Sequence, residues 1–420
     1  MLPCDAVGNI LLVGAGDQKY REHLLETVSG QGIWLLTATE PTWELPYISG
    51  YTIYPRLNAA KVSTKIERVM AIVRGLAEVE PIDGVWTFEE MLAPLTAALA
   101  EDLNRPSFGS SAVENCRDKL RSRRLLAAAG LPQPRSEFAG TEDEAFRLAA
   151  EIGYPLILKP RGMAGSIGVV RVDDERDLQA MFAVTRHAAA DGALRHAGGA
   201  LVETLVEGDE VSVDCAVVDG VADPLFVARK HFGPAPFFEE TGQSVEADDP
   251  LLRDVDMTRT LELAHRALGV QNGVTHTELK LTPRGPVIIE VNSRLGGDFV
   301  PHTAAAATGI DVAVIATQVS RGDEPDTSPR RRRVARNTVV YPSASGVIAG
   351  VRVPAADEDA ARGLIASGAL LAPGDAVSLP PEGFMVRAAY LLTVGGSVAE
   401  CDSYMDEALA ETSVEMSPER

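Results

Sequence analysis

The sequence predicts an α/β protein of several lobes: an N-terminal parallel α/β domain, a two-lobed α+β middle and a small C-terminal subdomain. Three observations carry this reading. Short apolar runs alternate with helix-like stretches through the first hundred residues. A glycine-rich loop follows a buried strand near residue 160. Two long strands around a tight turn near residue 283 carry carboxylates on an otherwise apolar hairpin. A length of 420 residues suits two or three packed units.

Taken in order, Asn9–Val13 reads as a buried strand that turns through Gly14-Ala15-Gly16 into a helix over 18–28. Ile33–Thr37 and 84–87 are further strands, with helices over 61–79 and 89–99. This alternation implies a parallel sheet covered on both faces. The Gly14-Ala15-Gly16 turn invites a dinucleotide reading, but Lys19 stands where the third glycine of that pattern belongs, so a tight turn into a helix is the better reading. A helix over 115–130 ends in glycine, and 131–134 is an extended linker. The expected domains are therefore 1–115, 116–325 (small lobe 116–200, large lobe 201–325) and 326–420. Within the middle domain Glu142–Ile152 is helical, Leu156–Lys159 is a strand, 162–168 is the glycine-rich loop and 169–172 a strand. A helix over 175–190 leads to strands at 200–205, 211–218 and 225–230, a helix over 254–268, and a hairpin of 273–281 with 286–291. Residues 323–333 read as an exposed linker, and from Val334 strand and turn alternate.

Composition narrows the function. With 39 basic against 60 acidic residues the formal net charge is −21, which argues against a general nucleic-acid surface. It leaves room for a nucleotide, which needs only local cations and a metal. The four cysteines are scattered and form no CxxC pair, so neither a zinc knuckle nor a disulfide scaffold is expected. The N-terminal apolar run, 10–13, is too short for a signal sequence or a membrane span. A reduced, cytoplasmic setting without a membrane partner is the expectation.

Three segments carry chemistry. On the hairpin, Glu290, Asn292 and Arg294 share one strand face by the two-residue period, and the turn brings Glu278 opposite. Two carboxylates and an amide oxygen suit a hard cation held against phosphates; a solvated edge with salt bridges is the alternative, and the apolar run 287–291 speaks against it. In the second segment Lys159 closes a buried strand before Gly162, Gly165, Ser166 and Gly168. Glycines let backbone N–H groups approach phosphate oxygens, and lysine adds a point charge. The third, Glu203 to Glu210, is a strand that ends in a polar turn able to present backbone to an adenine edge.

In this order and spacing these segments resemble the ATP-grasp superfamily, over about residues 116–309. Asp118-Lys119, Arg123 and Gly130-Leu131-Pro132-Gln133-Pro134 look like its entry segment. The resemblance implies ATP contacts from Lys119, Lys159, Gly165, Ser166, Glu203, Leu205 and Glu210. It implies Mg²⁺, which Mn²⁺ can replace, on Glu278, Glu290 and Asn292. Arg294 and Lys159 would be catalytic, and 162–168 a mobile phosphate lid. Pro236 to Gln243, Thr275-His276-Thr277-Glu278 and Arg294 to Asp298 further resemble bacterial L-amino acid ligases of the dipeptide-forming, bacilysin type. This implies substrate contacts from Glu240, Gln243, His276, Arg294, Gly297 and Asp298. Relatives often carry histidine where Gln243 stands, which would alter the acceptor pocket.

The implied chemistry is activation of a carboxylate as an acyl phosphate and its coupling to an amine, with natural-product peptide ligation as one setting. Partners would be the two small-molecule substrates, and a homodimer is one possible assembly. Two alternatives stay open: a carboxylase that activates bicarbonate, and a non-catalytic nucleotide binder. Glu240, His276 and Asp298 are candidates for the base. His265 and the tryptophans read as structural, and Arg330 to Arg333 as a solvated linker or an internal counter-charge.

Overall fold

Alternation along the first strand sets the N-terminal architecture. In β1 (Asn9–Val13), Ile10 and Leu12 pack into one core and Leu11 and Val13 into another, as a strand covered on both faces requires. The structure is a computed structural model that describes residues 8–57, 66–192, 198–358, 360 and 362–417. The N-terminal unit continues with α1 (Gln18–Thr27), β2 (Ile33–Thr37), β3 (Gly50–Ile53), α2 (Ile66–Ala77), β4 (Ile82–Trp86) and α3 (Ala93–Asp102). Its strands pair in parallel in the order β3-β2-β1-β4. Asp17 caps α1 by accepting from the Lys19 N–H at 2.9 Å. Of the helix expected over 61–79, residues 61–65 lie outside the described ones, as does Cys4. The helix expected over 89–99 opens as a tight 3₁₀ turn, Glu90–Leu92, before α3 begins with Pro94 in its first turn.

The single helix expected over 115–130 is two. Asp118 (φ −86°, ψ 95°) ends α4 (Ser110–Arg117) and caps α5 (Lys119–Ala128), accepting from the Arg121 N–H at 3.3 Å. Its carboxylate also accepts two hydrogen bonds from Arg161, at 2.5 and 2.6 Å, so the break ties α5 to the root of the glycine-rich loop. The small lobe follows with β5 (Ser136–Ala139), α6 (Glu142–Ile152), β6 (Leu156–Lys159), β7 (Val170–Val172), α7 (Glu175–Gly192) and β8 (Ala200–Thr204). It is an antiparallel sheet, order β5-β8-β6-β7, packed on α6 and α7 through Leu148, Leu158, Phe182 and Val202.

The large lobe contains β9 (Asp209–Val218), β10 (Val221–Phe232), β11 (Glu240–Glu246), α8 (Val255–Leu268), β12 (Gly273–Thr282), β13 (Gly285–Asn292), α9 (Val300–Thr308) and α10 (Val312–Arg321). Val211, Val213, Leu279 and Val291 pack with α5 and α8. Ala216 and Phe226 lie in a second core with Ala304, Ile315 and Val319 of α9 and α10, and that core also holds Ile10 and Leu12. One hydrophobic core thus joins the N-terminal sheet to the large lobe.

The C-terminal residues form β14 (Val334–Val340), β15 (Gly346–Arg352), β16 (Gly363–Ala369), β17 (Ala376–Val377), β18 (Ala389–Gly395), α11 (Val398–Glu411) and β19 (Ser413–Met416). Helix α11 goes beyond the strand-and-turn alternation expected there; its Met405 and Ala408 cover Leu391. Strands β14, β18 and β16 extend the large lobe's sheet, whose order is β13-β12-β9-β10-β11-β14-β18-β16, while β17, β15 and β19 form a small sheet. Among the described residues no single helix is long and apolar enough to cross a membrane.

The join between β11 and β14 depends on Gly242, which pairs with Thr338 at φ +148°. A Cβ there would lie 2.1 Å from the Asn337 carbonyl oxygen. Gly242→Ala is expected to cost about 3 kcal/mol through strain and overpacking, read as a lowered urea midpoint.

Candidate active site

A cleft lies between the small lobe's sheet and the hairpin β12–β13. Of the residues singled out from the sequence, Lys119, Lys159, Gly165, Ser166, Glu203, Leu205, Glu210, Glu240, Glu278, Glu290, Asn292, Arg294 and Asp298 line it. Gln243, His276 and Gly297 are not among its lining residues.

The small lobe's wall rests on a buried triad. Glu203, on β8, binds the Lys159 ammonium at 2.7 Å and the Arg123 Nε at 3.0 Å. Arg123 also donates to the carbonyls of Ile288 and Ile289, at 3.1 and 2.9 Å, and so reaches the hairpin. All three side chains are at most 5% exposed. Burial alone would raise the Glu203 pKa, yet Arg123 and Lys159 hold it at about 2. Burial, and then Arg123, push Lys159 down to about 8. The Glu203 carboxylate is thus consumed by ion pairs. From this segment, cleft lining continues through Thr204, Leu205 and Val206.

On the opposite wall the β12–β13 register places Glu278 against Glu290 and His276 against Asn292. A bulge lets Leu279 pair with Ile288, so Ile289 is the extra residue. Each carboxylate already holds a lysine: Glu290 binds Lys119 at 2.8 Å and Glu278 binds Lys230 at 3.0 Å. Lys119 also donates to the Met163 carbonyl in the glycine-rich loop. Lys230 further reaches Glu240 at 3.3 Å and Glu210 at 3.6 Å. Burial opposes its charge, but Glu240 and Glu278 keep it firmly protonated. Glu278 sits well below the usual carboxylate range: Lys230 and His276 outweigh burial. Glu240 lies above it, because burial outweighs Lys230.

His276 lies beneath this wall. Its Nδ1 meets Asp214 at 2.6 Å and its Nε2 lies 3.5 Å from Glu278. Burial works against its charge, but Asp214 raises it to about 9. Asp214 also accepts from the Gly296 N–H at 2.9 Å, which anchors the turn after β13. Gln243 is a buried support: its amide N–H donates to Glu240 at 3.2 Å and its oxygen accepts from the Val300 N–H at 3.0 Å. Arg294 donates to the Leu295 carbonyl at 2.8 Å, and its Nε lies 3.2 Å from Glu90 of the N-terminal unit. Gly297 lies beside it: a Cβ there would stand 3.8 Å from Arg294 Nη1.

Glu278, Glu290 and Asn292 offer only oxygen donors, which suit Mg²⁺ better than a softer ion. Among the described residues no group of three or more His, Cys, Asp and Glu side chains is placed to hold a metal. Two carboxylates and an amide nevertheless fit an ion that takes its remaining ligands from phosphate and water.

Sequence reasoning missed Lys230, Glu90 and Arg387, all of them at or beside the cleft. Lys230 left one signal, a cation at the end of the buried run Leu225 to Ala228. Glu90 and Arg387 left none, because their partners lie far along the chain.

An ATP-grasp domain model matches residues 152–302, and an ATP-grasp N-terminal domain model matches residues 53–107. The chain belongs to the ATP-grasp superfamily. Among curated relatives it is 30% identical over 303 residues to the uncharacterized protein y4rH of Sinorhizobium fredii, covering 69% of this chain and 60% of that one. It is 29% identical over 273 residues to alanine–anticapsin ligase of Bacillus subtilis, covering 60% and 57%. The alignments thus span under two thirds of these relatives' lengths. The fold matches the L-amino acid ligase of Bacillus licheniformis with a TM-score of 0.76 and 24% identity, over 98% of this chain and 99% of that one. It also matches the biotin carboxylase domain of the Hydrogenobacter thermophilus 2-oxoglutarate carboxylase, with a TM-score of 0.71 and 18% identity over 97% and 91%. The domain models and these matches show an ATP-grasp domain and its fold in this chain.

The buried triad makes a stability prediction. Glu203→Gln leaves Arg123 and Lys159 buried without their anion, and unfolding in urea should show a loss of about 3–5 kcal/mol.

Proposed function

We propose that this chain activates a carboxylate as an acyl phosphate and couples it to an amine, releasing ADP and phosphate. The observation that carries the reading is the cleft itself. Lys119 and Lys159 line it together with Glu278, Glu290 and Asn292, and Arg294 follows two positions beyond Asn292. The similarity to alanine–anticapsin ligase supports an amine as the second substrate.

In the first step a carboxylate oxygen attacks the γ-phosphorus of ATP, and the bond to the bridging oxygen of ADP breaks. Lys119 and Lys159 hold phosphate charge, and the glycine-rich loop covers the site against water. Glu278, Glu290 and Asn292 would hold Mg²⁺, which neutralises phosphate charge when bound. In the second step the amine nitrogen attacks the acyl carbon, the carbon–oxygen bond to phosphate breaks, and Arg294 donates to the developing oxyanion. Glu240 lines the cleft with its carboxyl raised by burial, which suits it to take the amine's proton. His276, already charged and below the wall, is unsuited to that task.

Turnover is expected to need ATP, Mg²⁺, a carboxylate and an amine together, with ADP and phosphate formed in step with the coupled product. AMP and pyrophosphate in their place would mean an adenylate route, and bicarbonate-dependent hydrolysis without an amine would mean carboxylation. Arg294→Ala should lower kcat about a hundredfold with ATP affinity little changed, and Arg294→Lys should recover part of the loss, since lysine returns charge without the planar fork. An unchanged kcat with weakened ATP binding would make Arg294 a ground-state anchor. Lys159, at about 8, is charged below that pH and neutral above it. ADP affinity measured by calorimetry should therefore fall by about tenfold between pH 7 and 9.5. Constant affinity over that range would remove Lys159 from the phosphate site.

A further inference from the structure

The glycine-rich loop is touched by a distant part of the chain. Its backbone turns through two left-handed residues, Gly165 at φ +67° and Ser166 at φ +56°. Within the loop the Ile167 N–H reaches the Ala164 carbonyl at 3.4 Å, and the Val169 N–H reaches the Ser166 carbonyl at 3.0 Å. Turns of this kind, with little apolar burial of their own, open at small cost. Outside support comes from Met385, in the turn that precedes β18. A Cβ added to Gly165 would lie 2.5 Å from the Met385 Sδ and 3.2 Å from its methyl carbon, so the thioether rests on the glycine backbone itself. Met385 and its neighbour Phe384 are not among the residues that line the cleft. Their contact is with the loop and its surroundings.

That turn is itself fixed. The Met385 N–H donates to the Glu239 carboxylate at 3.2 Å. Phe384 packs edge-on against Phe237, with ring centroids 5.9 Å apart. Phe237 bridges to Val170 in β7, the edge strand of the small lobe's sheet, and packs on that lobe's core. Beside it the Arg171 N–H donates to the Pro236 carbonyl at 2.9 Å. On the other side of the turn the Arg387 N–H donates to the Met385 carbonyl at 3.0 Å, while the Arg387 guanidinium binds Asp298. Met385 is held at φ +59°, a left-handed conformation that a side chain resists and glycine adopts freely. Such a conformation persists where surroundings hold it, and here the side chain it presents is the one lying on Gly165. The same turn therefore meets the small lobe twice, at the edge of β7 through Phe237 and at the loop through Met385.

We infer that the Phe384–Met385 turn is a clasp for the glycine-rich loop, and that Met385 is the positioning residue that keeps Gly165 and Ser166 over the cleft. Through β18 the clasp belongs to the large lobe's sheet, so it ties the loop of one lobe to the body of the other. Its use in turnover rests on the ligase reading above. Water that reaches an acyl phosphate attacks the acyl carbon in the amine's place, the carbon–oxygen bond to phosphate breaks, and the carboxylate returns unused. The contact itself does not depend on which acid is activated.

The test compares the full chain in three forms: unaltered, Met385→Gly and Met385→Leu. Glycine accepts φ +59° without strain and keeps the N–H that Glu239 binds, so the first variant retains the turn. Leucine returns an apolar side chain of similar volume. Hydrogen exchange of the segment 162–169 is followed with saturating ADP and Mg²⁺. Met385→Gly should speed exchange there roughly tenfold, the effect of losing one packed apolar side chain, with exchange in β12 and β13 unchanged. Met385→Leu should restore most of the protection. Equal exchange in the three forms would overturn the inference. The twenty proteinogenic amino acids are then screened in pairs with ATP and Mg²⁺, and phosphate release is compared with coupled product measured by mass. The unaltered protein should release about one phosphate per amide, Met385→Gly several-fold more, and Met385→Leu a ratio again near one. A lower rate at an unchanged ratio would make Met385 merely structural and overturn its shielding role. Phosphate release with no coupled product from any pair, in the unaltered protein, would overturn the ligase reading alone, and the exchange result would still decide the clasp.

Discussion

The Glu203 carboxylate, shared between Lys159 and Arg123, is the interaction on which the cleft depends. It joins three elements that are distant in sequence, β8, β6 and α5, and through Arg123 it reaches the backbone of the opposing hairpin. A buried ion pair of this kind adds little net stability against an apolar alternative. What it supplies is position. Lys159 can point into the cleft only because its charge is compensated at its own depth, and the hairpin carbonyls that Arg123 grips are those at the bulge.

That bulge sets the second wall. With a regular register, Glu278 and Glu290 could not be opposite each other while Leu279 faced Ile288; the extra residue, Ile289, reconciles the two. Its backbone carbonyl is one of those held by Arg123. The electrostatic triad and the strand irregularity are therefore one device, in which a local loss of ladder pairing is compensated by a guanidinium from the other side.

The placing of Glu278 opposite Glu290, with Asn292 and Arg294 lining the same cleft, was legible in the sequence because a strand's two-residue period fixes which side chains share a face, and the two strands are neighbours in the chain. The N-terminal sheet was legible for the same reason: Asn9–Val13 and Ile33–Thr37 are short apolar runs set between helix-like stretches. Asp118 is a residue type that favours N-caps over helix interiors, but helix-like sequence continues on both sides of it, and its contacts with Arg121 and Arg161 are what reveal the break. The pairing of Arg294 with Glu90 spans 204 residues, and that of Asp298 with Arg387 spans 89. No periodicity reports such contacts. The burial of the Glu203 carboxylate was also hidden, because a strand end with acidic residues reads the same whether its acid faces solvent or a guanidinium.

The lysines of the cleft have a kinetic consequence. Lys119 and Lys230 are bound by Glu290 and Glu278, so the cleft shows little free positive charge to the surrounding solution. The whole chain carries −21. An approaching nucleotide therefore meets net repulsion at long range and attraction only on contact, once the ammonium groups change partners. Capture of nucleotide by such a surface is governed by local exchange of ion pairs rather than by electrostatic steering, and screening by salt should favour the approach.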